Sequence, residues 1–431
     1  MLDIKFIREN IDLVKTALKN SARGGSAFGG KNIEIDIDRI IALDNKRRSS
    51  QAELEALLQK KNQANDEITR LLKEKKDIKE VTGSMKEISN KITELKNILK
   101  EVEPELSDLL IRIPNVPSKF VPVGDASKNR IVRTWNEPKK LKFSAQTHIE
   151  LAQKLDIIDF ERGAKITGSN YILYKKQGAQ LERALINFML DLHTTKHGFS
   201  EVFTPFLVNR ASMFGTGQLP KLEDDMYRIS DEDLFLIPTA EVPVTNIYRD
   251  EVLEEKDLPV YLTAYSACFR KEAGSYGKDT RGLIRVHQFD KVEMVKFVHP
   301  DKSYNELESL VKCAEKVLQL LDLPYRIVLL ASGDLSFAAS MCYDIEVYAP
   351  GIDKWLEVSS CSNFESFQAR RANIKFRAVD KKIDYVHTLN GSGVALARTV
   401  IAILENYQQK GGSILIPKVL RPYMRGAKKI G

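Results

Sequence analysis

Three stretches of the sequence carry residue types that could do chemistry. The first runs from Phe269-Arg-Lys-Glu272 through a polar, glycine-rich segment to Ile284 and on to Phe289-Asp-Lys-Val-Glu293. Its period-two alternation predicts strand, loop, strand. On that reading Arg270 and Glu272 share one face, and Phe289, Lys291 and Glu293 share one on the returning strand. An arginine can fork onto phosphate or carboxylate oxygens, and an aromatic ring is a platform for a stacked base. One face offering a cation, acids and a ring suits a nucleotide together with a zwitterion. An exposed hairpin with ordinary surface charges would have the same composition.

The second stretch is Thr388-Leu-Asn-Gly-Ser-Gly-Val-Ala-Leu-Ala-Arg398. Gly391-Ser-Gly393 predicts a loop opening a helix, with Arg398 about one and a half turns inside. A Gly-x-Gly loop alone recurs as a simple turn. An arginine in an otherwise apolar helix says more, because burying it requires an anionic partner. The third stretch is His193 to His197, two imidazoles four apart on a helix. The residues between them lack the glutamate of a zinc protease, so they read as helix-end residues before Gly198. Cys361, beside Ser360, reads as a packed thiol.

These residues need elements to hold them. Helical periodicity is present near residues 147–156, 179–196, 303–321 and 393–409, and strand alternation near 261–270, 284–295, 343–348 and 354–360. Strands following one another through short turns predict an α+β fold, an antiparallel sheet with helices packed on it. Upstream of Pro114-Asn-Val-Pro117 the pattern differs. Residues 1–20 read as one short amphipathic helix, followed by a glycine-rich connector from Ser21 to Gly30. Heptads then begin at Ile40 and Leu43 and run to Ile68 and Leu71. A second arm carries Met85, Ile88, Ile92, Leu95, Leu99, Val102, Leu106, Leu109 and Ile113 in steps of three and four. Two such stripes bury each other as an antiparallel coiled-coil hairpin, each arm reaching roughly 50 Å. Gly83 is expected to end the connection and Ser84 with Glu87 to cap the second arm. Pro104 is expected to kink that arm.

Across residues 38–111 basic and acidic side chains both number 15, but residues 69–100 carry nine basic against five acidic. A dimerisation or spacer coiled coil would account for the hairpin. The basic excess towards the tip also suits phosphate contact.

Length and composition set the outer limits. A chain of 431 residues suggests two or three domains, and 43% hydrophobic with 29% charged residues is ordinary for a globular protein. The most apolar run, Val394 to Leu404, is broken by Arg398, which argues against a transmembrane helix. Asp3, Lys5, Arg8 and Glu9 argue against a signal peptide. The widely spaced Cys268, Cys313, Cys342 and Cys361 form no CxxC pair, which fits reduced thiols in a cytoplasm. A net charge of +7 permits a polyanionic partner without demanding one.

Taken together, these patches closely resemble the seryl-tRNA synthetases, a family of class II aminoacyl-tRNA synthetases. The helix ending in Gly198-Phe-Ser-Glu-Val-Phe-Thr-Pro205 is similar to the first, interface-forming class II motif. Phe269-Arg-Lys-Glu272 with its loop resembles the second, and Gly391-Ser-Gly-Val-Ala-Leu-Ala-Arg398 the third. Thr239-Ala-Glu241, Glu357-Val-Ser-Ser360 and Ser362 to Arg371 add serine-specific detail, and the hairpin matches as well. Lys271 and Phe364 depart from the family, which more often has a small polar residue and a cysteine there.

The resemblance implies a tRNA-binding domain over residues 1–114 and a catalytic domain over 115–431. It implies a dimeric, cytoplasmic, ATP- and Mg²⁺-dependent ligase that joins L-serine to tRNA(Ser), with tRNA(Sec) as an alternative acceptor. The ATP site would comprise Arg270, Lys271, Glu272, Val286, Phe289, Glu357, Val358, Ser359, Ser360 and Arg398. Arg270 and Arg398 would act in catalysis, with Glu357 and Ser360 on the metal. Serine would be held by Thr239, Ala240, Glu241, Arg270, Glu293 and Ser392. A noncatalytic RNA-binding relative would be expected to lack Arg270, Glu272, Glu357 or Arg398. A relative that loads a carrier protein would be expected to lack the hairpin.

Overall fold

The first twenty residues form two helices, α1 (Ile4–Glu9) and α2 (Ile11–Asn20), instead of one. Asn10 breaks the run. Its side-chain amide donates to the Phe6 carbonyl at 3.0 Å, the acceptor its own N–H would use in a continuous helix, and its N–H turns to Ile7 instead. The computed structural model describes residues 1–20, 35–272 and 281–431. The glycine-rich connector at 21–30 and the stretch 273–280 of the second motif's loop lie outside the described residues.

The heptad arms are helices α3 (Ile37–Lys73) and α4 (Lys79–Leu110). Asp36 caps α3 by accepting the Arg39 N–H at 3.0 Å. Leu54 of α3 packs with Ile92, Leu95 and Leu99 of α4, so each stripe buries the other. Asp44 is a fully buried acid on α3, neutralised by Arg8 at 2.6 Å and Arg47 at 2.9 Å. The connection differs from expectation. Lys75, at φ +55°, makes the turn, the Asp77 carboxylate accepts the Lys79 N–H at 2.9 Å, and α4 runs unbroken through Gly83 and Ser84. Ser84 donates its hydroxyl to the Val81 carbonyl and caps nothing. A glycine inside a helix costs about 1 kcal/mol, which the continuing α3–α4 seam offsets. Pro104 also sits within α4, which continues to Leu110 although the Lys100 carbonyl is without its usual donor.

The described residues fall into two compact units, one holding Leu2–Leu18 and the hairpin as far as Ile113, the other holding Pro114–Gly431. The second unit is built on an eight-stranded sheet. In chain order its strands are β1 (Arg130–Trp135), β2 (Ser200–Glu201), β3 (Val260–Phe269), β4 (Gln288–Val298), β5 (Tyr325–Leu329), β6 (Met341–Ala349), β7 (Lys354–Asn363) and β8 (His387–Ala395). In space they run β1-β5-β6-β7-β8-β4-β3-β2. Every pairing is antiparallel except β2 against β3.

Six helices matter for the site: α5 (His148–Lys154), α6 (Lys176–Lys196), α7 (Glu241–Thr245), α8 (Ser303–Leu320), α9 (Phe367–Ala372) and α10 (Leu396–Asn406). Helix α8 packs on β7 and β8, and α6 packs on β3 and β4. Helix α10 is buried almost along its whole length, Arg398 and Asn406 excepted. No helix among the described residues is long and apolar enough to cross a membrane.

Two local expectations are overturned. Gly391-Ser-Gly393 is not a loop but the middle of β8, and Arg398 therefore sits in the first turn of α10. The glycines are needed for close approach. A Cβ on Gly391 would lie 2.8 Å from Cys361 Sγ and 3.1 Å from Leu310, and one on Gly393 would lie 2.6 Å from His193 Nε2. Second, β3 ends at Phe269, so Arg270 and Glu272 do not alternate along a strand. Glu272 has φ +50°, a left-handed turn leaving the sheet.

Candidate active site

One face of the sheet, formed by β4, β8, β7 and β6, holds a cleft of about 690 Å³. Of the residues assigned above to ATP, serine or the metal, all but Lys271 and Ala240 line it. Lys271 instead hangs its ammonium 6.0 Å from the Tyr227 ring and donates its backbone N–H to Asp225. Ala240 is fully buried in the apolar cluster beside α7.

One end of the cleft is a buried polar knot. Glu293 is almost fully buried on β4, and a single oxygen, Oε2, accepts from Thr239 at 3.2 Å and Ser392 at 3.3 Å. Lys291 Nζ lies 2.6 Å from the same oxygen. Glu241 opens α7 close by, and its Oε1 accepts from Gln368 Nε2 at 2.6 Å. Gln368 is itself fixed by the Thr388 hydroxyl at 2.8 Å. Burial, and then the charge of Glu293, push the Glu241 carboxyl up to about 7, although the Gln368 bond and the charges of Lys291 and Arg270 oppose the rise.

Arg270 stands between this knot and the rest of the cleft. Its guanidinium lies 5.2 Å from the Phe289 ring centroid, and its Nε donates to the Pro238 carbonyl at 3.4 Å. Beyond it, Glu272 bonds Arg285 at 3.0 Å. At the far end Arg398 donates to the Glu357 carbonyl at 2.8 Å, and its guanidinium lies 3.5 Å from the Glu357 carboxylate.

Asp344 of β6 faces Ser360 of β7 across the ladder. Burial and the nearby Glu357 charge raise its pKa, against a hydrogen bond from Ser360. Two carboxylates and a hydroxyl are the hard oxygen donors that Mg²⁺ prefers, and their mutual repulsion is what a divalent cation relieves, so the donor set fits that ion. Among the described residues no group of three or more His, Cys, Asp or Glu gathers as a metal cluster.

Sequence reasoning missed several of these residues. Lys291 is visible on the shared face of β4 but carries no expected role, and Gln368 stands unassigned inside the segment from Ser362 to Arg371. Asp344 gives no local signal, because its relation to Glu357 and Ser360 is made by strand pairing. Cys361 is a fully buried thiol, pushed up to about 12 by burial, as a packed cysteine should be. His193 and His197 touch through their Nδ1 atoms at 2.9 Å, and burial depresses His193 to about 3, so it stays neutral.

Residues 223–407 match the tRNA synthetase class II core domain of the glycine, histidine, proline, serine and threonine enzymes. The fold is thus that of a class II aminoacyl-tRNA synthetase. Residues 1–117 match the seryl-tRNA synthetase N-terminal domain. The serine–tRNA ligase of Caldanaerobacter subterraneus subsp. tengcongensis is 55% identical, covering 99% of this chain and 98% of its own. The crystal structure of the Pyrococcus horikoshii seryl-tRNA synthetase complexed with ATP superposes with a TM-score of 0.91 at 38% identity, covering 100% of this chain and 99% of its own. The cytoplasmic serine–tRNA ligase of Naegleria fowleri, in complex with AMP, gives 0.86 at 29% identity, covering 100% and 98%. The chain belongs to the seryl-tRNA synthetase family.

Proposed function

We propose that this chain activates L-serine with ATP and transfers it to the 3′-terminal adenosine of tRNA(Ser). The observation that carries the reading is the knot around Glu293, a buried carboxylate that already takes two hydroxyls beside Arg270 and Phe289. A serine hydroxyl would join that set. Alanine and glycine would leave its polar groups unpaired, the kind of mismatch that discriminates strongly, and threonine would have to fit an extra methyl.

In the first step the serine carboxylate attacks the α-phosphorus in line, a P–O bond forms, and pyrophosphate leaves with the electron pair of the broken bond. A carboxylate is ionised at pH 7, so no general base is required, and positioning with charge neutralisation carries the rate. Arg270 would bridge the serine carboxylate and the α-phosphate. Phe289 would lie under the adenine, Glu272 would accept from its amino group, and Arg398 would meet the γ-phosphate. Val286 and the backbone of Val358 and Ser359 would line the nucleotide. Thr239 and Glu241 would hold the serine ammonium, and Glu293 with Ser392 its hydroxyl; Ala240, buried behind them, would not touch it. Glu357 and Ser360 would hold Mg²⁺, which when bound supplies neutralisation of phosphate charge.

The domain reading has residues 1–114 serving tRNA and 115–431 the chemistry, with the hairpin meeting the acceptor through shape and backbone contacts. tRNA(Sec) is the second acceptor, and charging of both transcripts side by side decides it. The four free thiols, Cys268, Cys313, Cys342 and Cys361, suit a cytoplasm. A homodimer would cover the face beside α6, where Phe203 is 77% exposed and buried Glu182 has one carboxylate oxygen with no partner. Phe203→Arg is expected to shift the sedimentation of the full chain from dimer to monomer.

Serine-dependent ATP–pyrophosphate exchange without tRNA tests the activation step and the serine pocket, with threonine, alanine and glycine in parallel. Exchange with serine, abolished in Arg270→Ala, is expected. Preference for another amino acid would overturn the roles of Glu293 and Ser392, and no exchange at all would overturn the activation step.

A further inference from the structure

A polar chain that none of the roles above uses runs from the last turn of α10 to the backbone of the cleft. Glu405 is fully buried. Its Oε1 accepts the backbone N–H of His148 at 2.8 Å and lies 2.9 Å from His148 Nδ1. Its Oε2 accepts the backbone N–H of Gly351 at 2.8 Å and of Ile352 at 3.2 Å. With Nδ1 donating to the carboxylate, Nε2 is left as the acceptor of the neutral ring. It takes the backbone N–H of Leu283 at 3.3 Å.

His148 is itself well placed to hold something. It is fully buried as the first residue of α5, whose entry is fixed by a capping box between Thr147 and Glu150. Gly282 makes the contact sterically possible. Its φ is +71°, and a Cβ there would stand 2.3 Å from His148 Nε2, so a side chain would displace the ring from Leu283.

The segment this ring grips borders the cleft, since Leu283, Ile284, Arg285 and Val286 all line it. Two of its other fixings come from groups already assigned to the nucleotide: the Ile284 carbonyl accepts from Arg398 at 3.3 Å, and Arg285 bonds Glu272 at 3.0 Å. Without the imidazole, the buried Leu283 N–H would lose its acceptor, and the segment would be free to shift towards a new one.

We propose that His148, oriented by Glu405, is a positioning residue for ATP, holding residues 283–286 at the height the nucleotide needs. The inference rests on the reading of this cleft as an ATP site. A pair serving only the core would stabilise the fold without favouring one ligand over the other.

Two substitutions separate these roles. In His148→Asn the amide nitrogen can still donate to Glu405, but no atom replaces Nε2. In His148→Gln the amide oxygen can stand where Nε2 stood and accept from Leu283. Calorimetric titration of the full chain with ATP and Mg²⁺, and separately with serine, is the measurement. His148→Asn is expected to weaken ATP about tenfold, the scale of one orphaned buried donor, with serine binding within about twofold of wild type. His148→Gln is expected to recover most of the loss. ATP binding unchanged in His148→Asn, equal losses for ATP and serine, or failure of both variants to fold would each overturn the proposal. Pyrophosphate exchange by the wild-type chain is read alongside. Its absence would sink serine activation, while the ATP titration would still decide the role of His148.

Discussion

Glu241 and Glu293 share one cleft but keep different electrical company. Glu293 has Lys291 at 2.6 Å and two hydroxyls on one oxygen. Glu241 has a neutral amide for its close partner and is held up to about 7 by burial and by Glu293. Its neutral form is therefore the one these surroundings favour. The sign follows directly. A folded-state pKa above the ordinary 4.5 means the fold holds a proton the unfolded chain has released. Stability therefore falls as pH rises from about 4.5 through 7. On the proposed reading serine runs the other way, because its ammonium would need the carboxylate. We expect kcat/KM for serine in pyrophosphate exchange to rise close to tenfold per pH unit up to about 7 and then level, reporting the free enzyme. Glu241→Gln should flatten that profile and lower the plateau. A profile flat from pH 6 to 8 in the wild type would remove Glu241 from the ammonium.

Glycines give the clearest test at the scale of elements, since two of them look alike in the sequence and differ in the fold. Gly83 lies within α4, and a Cβ added there would have nothing within 4 Å. Gly83→Ala should stabilise the hairpin by about 0.5–1 kcal/mol, seen as a higher melting temperature. A loss of stability would restore the break that the Gly83-Ser84 pattern suggests. Gly391→Ala meets Cys361 and Leu310 and should cost about 1–3 kcal/mol. Local pattern is enough to find β3, β4 and the two arms, because alternation and heptads are written in neighbouring residues. It misreads Gly391-Ser-Gly393 because the atoms that demand those glycines come from α6, β7 and α8. The cleft is legible to the same degree. Phe289 and Glu293 follow from the alternation of β4, and Arg270 lies one residue past the end of β3, whereas Asp344 beside Glu357 and His148 against Glu405 are joined only by folding.

For the whole molecule, the division into two compact units means that, on the proposed reading, amino-acid activation and tRNA capture would be open to separate perturbation. Every residue assigned to serine or ATP belongs to the unit containing Pro114–Gly431, and the basic excess of the hairpin belongs to the other. Lys73, Lys75 and Lys79, around the turn between α3 and α4, are exposed. Exposed lysines there would meet phosphates by charge alone, without base readout. Replacing all three with alanine should leave serine-dependent pyrophosphate exchange within about twofold of wild type. The KM for tRNA in charging should rise, on the order of tenfold at moderate salt. The salt dependence separates this from a misfolded arm. Each phosphate that a lysine no longer meets should reduce the slope of log affinity against log salt by about 0.7–0.9, so the triple variant should bind tRNA with a slope shallower by about 2–3. Unchanged charging with an unchanged slope would put the tRNA-binding residues elsewhere on the arm and leave the turn as a spacer.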